Sequence, residues 1–127
     1  MTGSPSRPTV LIVDDEPGFA RVLGKRLRLR GFECGIAPDG ETALAELRER
    51  TYLAVLLDLR LPGIPGSEVL RRLKARRPNL PVFIITAHGT EVDREECLAC
   101  GAELFLTKPV DIDEIAGHLD AYRQGQS

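Results

Sequence analysis

Five polar residues that could do chemistry follow short apolar runs at four places along the chain. They are Asp14, Asp15, Asp58, Thr86 and Lys108. Short apolar runs that end in polar residues are typical of buried strands. Because the carboxyl ends of parallel strands share one edge of a sheet, where ligands bind, these side chains are expected to meet in one pocket. Several carboxylates, an ammonium and a hydroxyl together suit a divalent cation beside a phosphoryl group.

The apolar runs alternate with segments whose apolar residues recur at three- and four-residue intervals, as in amphipathic helices. The runs cover residues 10–13, 54–57, 82–85 and 104–107, with 33–37 as a weaker fifth run. Continuously apolar strands are buried on both faces, so helices should cover both sides of the sheet. The sequence therefore predicts an α/β fold of the doubly wound (βα)5 type. This three-layer, flavodoxin-like sandwich has a five-stranded parallel sheet of order 2-1-3-4-5, with the weak strand at an edge.

The ends of the helices carry their own signals. Pro17 is expected just inside the first helix. Thr90 with Asp93 predicts a capping box, and Asp111 with Glu114 predicts a similar arrangement. Residues that stop a helix are Gly31, Pro78 and Gly101.

Length and composition predict one soluble domain. A chain of 127 residues with 43% hydrophobic and 28% charged residues can bury a core without metal or disulfide support. Residues 1–8 are predicted to be a disordered lead-in, 9–123 the folded domain and 124–127 a short tail. No apolar stretch approaches the ~20 residues of a membrane span, so no membrane association is expected. Three cysteines cannot all pair, which favours a reducing cytoplasm.

Charge is divided unevenly along the chain. Residues 1–90 carry 14 basic and 10 acidic side chains, whereas residues 91–127 carry 3 basic and 9 acidic ones. A concentrated basic face, which direct binding of nucleic acid usually requires, is not indicated. This distribution favours protein partners.

The predicted pocket favours a hard divalent cation, Mg²⁺ or Mn²⁺. Crowded carboxylates repel one another, and a cation with oxygen ligands removes that repulsion. Asp58 stands alone after the central strand and is the best candidate for a nucleophile that forms an aspartyl-phosphate. Asp14 and Asp15 are then candidate metal ligands.

The sequence resembles the receiver domain of two-component response regulators, from about Pro8 to Tyr122. The residues that carry the resemblance are Asp14-Asp15-Glu16, Asp58 within Leu56–Gly63, Thr86-Ala87 and Lys108-Pro109. Each motif alone is weak, but all of them in order on the predicted strand ends form a strong signal.

The resemblance implies a role for each residue at the site. Asp58 would be the phosphoacceptor and would bind Mg²⁺ directly together with Asp15. The backbone carbonyl of Arg60 would assist, and Asp14 would act largely through water. Lys108 would pair with Asp58 and then with the phosphoryl group.

The resemblance also implies a switch. Thr86 would move toward the phosphoryl group and Phe105 would rotate inward behind it. The Lys108–Pro109 bond is expected to be cis. Arg60 and His88 occupy flanking positions that tune the access of water to the phosphoryl group.

The implied partners are proteins. A sensor histidine kinase or a histidine phosphotransfer protein would donate the phosphoryl group, and a downstream protein target would read helix 4, strand 5 and helix 5. The basic residues within 21–30 are either a solvated helical face or a docking surface for the donor. The chain would be a monomer, or a weak homodimer promoted by phosphorylation.

Other functions remain to be weighed against this switch. The chain could be a phosphorelay shuttle, a phosphate sink, or the receiver part of a larger transcriptional regulator. A phosphatase of the haloacid-dehalogenase type needs a second acid two residues after its nucleophile, and Arg60 stands there. The pair Cys97 and Cys100 has no partner pair, which favours packed small hydrophobes over a redox or metal site.

Overall fold

A computed structural model describes residues 7–124 of the chain. Five strands alternate with five helices in that range. The strands are β1 (Thr9–Val13), β2 (Glu33–Ala37), β3 (Ala54–Leu57), β4 (Val82–Thr86) and β5 (Leu104–Thr107). The helices are α1 (Pro17–Arg28), α2 (Gly40–Glu49), α3 (Gly66–Arg76), α4 (Glu91–Ala99) and α5 (Ile112–Gln124).

All five strands pair in parallel in the order β2-β1-β3-β4-β5, which confirms the predicted fold. The weak strand β2 lies at an edge, as predicted. The register places Val13 opposite Leu57, and Leu57 opposite Ile84. The ends of β1 and β3 are therefore level and β4 extends two residues further, so the residues at these strand ends share one edge.

The core lies on both faces of the sheet, because successive strand residues point to opposite sides. On β1, Leu11 and Val13 pack on the side of α2, α3 and α4, whereas Val10 and Ile12 pack on the side of α1 and α5. Every residue of β3 and β4 is buried. Burying a side chain of this size contributes about 1.5–3 kcal/mol, so the central strands anchor the edge that carries the polar residues.

The predicted helix ends are largely confirmed. Pro17 is the first residue of α1, and Thr90 with Asp93 forms both bonds of a capping box at α4. Gly31 and Gly101 have φ values of 94° and 106°, in the region that favours glycine after a helix. Asp111 accepts a hydrogen bond from the backbone N–H of Asp113 at 2.9 Å before α5.

The predicted lead-in and tail lie mostly outside the described residues, at 1–6 and 125–127. Within the described range, Pro8, which the sequence places in the lead-in, already takes part in the pairing of β1 with β2, because its carbonyl accepts the N–H of Glu33 at 2.8 Å. None of the helices described combines the length and the apolar character that crossing a membrane would require.

Candidate functional site

Asp58 is held at the end of β3, between β1 and β4. Its backbone N–H donates to the carbonyl of Val13 at 3.0 Å, which continues the sheet pairing by one residue. Its side chain is buried, and its Oδ1 accepts the backbone N–H of Arg60 at 3.1 Å. The carboxylate is therefore oriented by the turn that follows it.

Asp14 continues β1 in the same way, with its N–H donating to the carbonyl of Ala37 at 3.0 Å. Its side chain is only 3% exposed, and its Oδ1 accepts the backbone N–H of Glu16 at 2.9 Å. Burial raises the pKa of Asp14, although the hydrogen bonds with Lys108 and with the Glu16 backbone oppose that rise. The molecule therefore holds a carboxylate where water stabilises its charge poorly.

Lys108 reaches this pair from the loop after β5. Its Nζ lies 2.9 Å from Oδ2 of Asp14, 3.3 Å from Oδ2 of Asp58 and 2.5 Å from Oε1 of Glu16. The ammonium also lies 4.2 Å from the centre of the Phe19 ring, a cation–π distance. Burial works against its charge, but hydrogen bonds to Glu16 and Asp14 outweigh burial and raise the pKa of Lys108. Lys108 is therefore a permanent positive charge at neutral pH.

The carboxylates around Lys108 form a set of oxygen donors. One oxygen from each of Asp14, Glu16 and Asp58 lies within 4.8 Å of the others. A single lysine cannot neutralise three carboxylates, so the donor set fits a hard divalent cation such as Mg²⁺. Asp15, which the sequence predicts as a ligand, has an exposed side chain and is not among these three in the described part of the chain.

Glu16 is the member of this set that the sequence reasoning did not select. It belongs to the acidic run that follows β1, and its contact with Lys108 spans 92 residues of sequence. Phe19, beneath the ammonium, lies half-buried on α1. Neither contact has a signal in the local sequence beyond the acidic run itself.

Thr86 ends β4 beside Asp58 and is 1% exposed. Its Oγ1 is buried and has no hydrogen-bond partner among the described residues. Buried hydroxyls almost always have a partner, because leaving one without a partner costs about 1–3 kcal/mol. The Thr86 hydroxyl is therefore available to donate a hydrogen bond to a group bound at the edge that carries Asp58.

The remaining predicted site residues lie around this pocket. Phe105 on β5 is half-buried, and its ring lies against Gly89. Arg60 and His88 are exposed, and their tuning role stays a prediction. The Lys108–Pro109 bond is cis, as the resemblance implies.

The cysteines are only partly as predicted. Cys97 is buried, as expected for a packed small residue, whereas Cys100, the C-cap residue of α4, is exposed. Burial raises the pKa of Cys97 to about 11. The described thiols are not paired in disulfides.

Comparison with known proteins shows the class of domain to which this fold and site belong. The model of the response regulator receiver domain family matches residues 10–120. The chain belongs to this family, and the predicted resemblance is confirmed.

Individual relatives give the same result. The chain is 39% identical over 113 residues to the probable transcriptional regulatory protein TcrX of Mycobacterium tuberculosis, covering 89% of this chain and 48% of TcrX. A CheY-like receiver domain protein from Methanospirillum hungatei superposes with a TM-score of 0.86 at 26% identity, covering 94% of this chain and 98% of that one. The response regulator TrrA from Thermotoga maritima, solved in complex with Mg(2+)-BeF, gives 0.80 at 28% identity over 89% and 96% of the two chains.

The chain spans about half the length of the first curated relatives that it matches. Membership of the family therefore concerns the receiver domain. The activity of a longer protein of this type does not follow from this match.

Proposed function

We propose that the chain is a phosphorylation-dependent switch of a two-component system, with Asp58 as the phosphoacceptor. The convergence of Asp14, Asp58 and Lys108 carries the proposal, because Lys108 lies 2.9 and 3.3 Å from the two carboxylates at the carboxyl edge of the sheet. Such an arrangement supplies both the nucleophile and the fixed charge that phosphoryl transfer needs.

The acceptor step is a displacement at phosphorus. A carboxylate oxygen of Asp58 forms the new bond to phosphorus while the P–N bond to a donor histidine breaks, and the imidazole leaves with that electron pair and takes up a proton. The hydrogen bond from the Arg60 N–H to Oδ1 at 3.1 Å orients the carboxylate for this attack. Little else is needed from the protein beyond positioning and charge stabilisation.

Acidic residues and one carbonyl are proposed to hold Mg²⁺ or Mn²⁺ at this site. They are Asp14, Asp15, Asp58 and the backbone carbonyl of Arg60, with Glu16 close enough to take part. When bound, the cation offsets the negative charge that crowds the acceptor and the donor phosphoryl group.

Lys108 and Thr86 then act on the phosphorylated state. Phosphorylation adds roughly −1.5 to −2 charge at neutral pH and three acceptor oxygens. Lys108, already 3.3 Å from Asp58, pairs with the new group. The Thr86 hydroxyl, which has no hydrogen-bond partner among residues 7–124, donates to it, and Phe105 moves behind Thr86.

A groove of about 350 Å³ beside Lys108 is the proposed docking site of the phosphodonor. It lies between α1 and the loop after β5, and Phe19, Val22 and Val110 give it apolar walls. Val22 is 49% exposed, and Arg26 at the rim adds basic charge. A helix that carries the phosphohistidine would place its imidazole near Asp58 while covering this apolar surface. A sensor kinase or a histidine phosphotransfer protein is the proposed donor.

The output surface is proposed to comprise α4, β5 and α5, which Phe105 links to the site. Val92 on α4 is 61% exposed there, and a protein target or a second copy of the chain would cover it. About 1.4 kcal/mol of difference between two states of this surface shifts their populations tenfold. We place this switch in the cytoplasm and assign it no direct contact with nucleic acid or membrane. It acts as a phosphoprotein that catalyses only its own phosphorylation and slow dephosphorylation.

A second candidate is the same switch acting as the receiver part of a longer transcriptional regulator. The observation that favours it is that relatives such as TcrX are about twice as long as this chain. In that case the output surface contacts an attached domain instead of a separate protein. A shuttle or phosphate sink differs by rapid return of the phosphoryl group to a histidine.

The test is intact-mass spectrometry after incubation with Mg²⁺ and acetyl phosphate. Wild type should gain one phosphoryl group, and the gain should vanish in Asp58→Asn or after chelation with EDTA. Asp39→Asn is a matched control, because Asp39 caps α2 through the N–H of Thr42, away from the site. A gain that persists in Asp58→Asn would assign the phosphoryl group to another residue and refute the proposal.

A further inference from the structure

Gly89 lies in the loop between β4 and α4, and its backbone does not require a glycine. The described glycines with positive φ are Gly31, Gly63 and Gly101, so Gly89 has a φ that any L residue can adopt. The close packing of other side chains around Gly89 therefore explains the glycine better than its backbone conformation does.

The space that a side chain would need at Gly89 is taken by Phe105 and Thr86. A Cβ built on Gly89 would lie 2.4 Å from Cζ and 2.7 Å from Cε1 of Phe105, and 2.9 Å from Cγ2 of Thr86. All three distances are shorter than a normal contact between carbon atoms. An aromatic ring cannot bend away, so any side chain at this position would force the Phe105 ring or the loop to move.

The same contact reaches Thr86. Thr86 is β-branched, so the position of its methyl group fixes the direction of its hydroxyl. The methyl lies against Gly89, and the buried Oγ1 has no partner among the described residues. Gly89, the Phe105 ring and the Thr86 methyl therefore form one packed contact next to the acceptor edge.

We propose that Gly89 is a positioning residue of the switch: its missing side chain seats the Phe105 ring against Thr86 and so holds the Thr86 hydroxyl in one rotamer. This inference rests on the proposed function of Asp58. In the proposed switch, Gly89 leaves open the space that the Phe105 ring occupies behind Thr86.

The first measurement is ¹⁹F NMR of the chain labelled with 2-fluorophenylalanine, whose fluorine stands on a δ carbon, away from the Cζ and Cε1 atoms that face Gly89. The chain has four phenylalanines, and the signal of Phe105 is assigned by its loss in Phe105→Leu. In Gly89→Ala this signal should shift toward a solvent-exposed value, while the other three stay in place. Gly117→Ala is the control, because a Cβ there meets nothing within 4 Å. An unchanged Phe105 signal in Gly89→Ala would overturn the proposed seat.

The second measurement is the rate of phosphorylation by acetyl phosphate in the same variants. A Thr86 hydroxyl that samples three staggered rotamers instead of one is correctly placed about a third of the time, so Gly89→Ala should slow the reaction roughly threefold. The double variant Gly89→Ala with Phe105→Leu should be phosphorylated at nearly the rate of Phe105→Leu alone, because leucine lacks the ring atoms that clash with the Cβ of Ala. A ring that moves without any change in rate would overturn the positioning role.

Failure of the proposed function gives a different pattern. Wild type would then take no phosphoryl group, and the positioning role at Asp58 would fall with it. The ¹⁹F comparison would still decide whether Gly89 seats the ring. A thermal melt of each variant excludes unfolding as the cause of either result.

Discussion

Replacing Lys108 by methionine should unbalance the charge of the pocket while keeping much of the side-chain volume. At an effective dielectric constant of 20, its attraction to Asp14 at 2.9 Å is about 6 kcal/mol, and to Asp58 at 3.3 Å about 5 kcal/mol. Removing the lysine also removes the cost of burying its charge, so the net effect is smaller than this sum. Breaking a buried ion pair typically costs about 3–5 kcal/mol. We expect Lys108→Met to lower the free energy of unfolding by about 3 kcal/mol without metal.

Urea denaturation in EDTA measures this loss. With a denaturant slope of about 2 kcal/mol/M, the midpoint should fall by about 1.5 M. Adding Mg²⁺ should recover more stability in Lys108→Met than in wild type, because the cation takes over as counter-charge to Asp14 and Asp58. Lys25→Met, an exposed lysine of α1, should leave the midpoint nearly unchanged.

Unfolding of Lys108→Met at the wild-type urea midpoint in EDTA would contradict the expected loss of stability. That result would mean that water screens the pocket so well that the short distances contribute almost nothing to stability. A loss of stability that Mg²⁺ does not reduce would mean that the cation does not replace Lys108 as the counter-charge to Asp14 and Asp58.

Three further outcomes are expected. Thr90→Ala removes the cap of α4 and should cost about 1 kcal/mol in thermal or urea unfolding, with faster hydrogen exchange confined to the start of that helix. Gly66→Ala should cost about 1–3 kcal/mol, because its Cβ would lie 2.2 Å from a backbone carbonyl oxygen of the preceding loop, whereas Gly18→Ala meets nothing and should be neutral or stabilising. At pH 8, iodoacetamide should alkylate the exposed Cys100 long before the buried Cys97. A pKa of about 11 leaves only about one Cys97 thiol in a thousand ionised at this pH. Equal alkylation rates of the two cysteines by peptide mapping would contradict the burial of Cys97.

Much of the fold could be predicted because the strands carry a strong local signal. β1, β3 and β4 are continuous apolar runs, and burial on both faces of a sheet demands this pattern. Even the weak edge strand β2 was predicted at its observed bounds, Glu33–Ala37. Several helix ends, marked by Pro17, Thr90, Gly31 and Gly101, could be predicted because caps and glycines act locally.

The membership of the acidic set could not be predicted in the same way. Neighbouring residues at the end of a strand point in different directions, so Asp14 is buried while Asp15 is exposed. Glu16 then reaches Lys108 across 92 residues of sequence. The acidic run is visible in the sequence, but which of its oxygens meet depends on how β1 and β5 end in space.

The sequence by itself determined the strands, their alternation with helices and the polar residues that follow them, because hydrophobic burial and strand periodicity are properties of local residue pattern. The strand order followed from the rule for doubly wound sheets. Only the tertiary structure decided that Lys108 contacts three carboxylates, that the Thr86 hydroxyl has no partner among the described residues, and that Phe105 fills the space left by Gly89. Those contacts join side chains from different βα units. Their distances depend on the packing of the whole domain, which no single segment encodes.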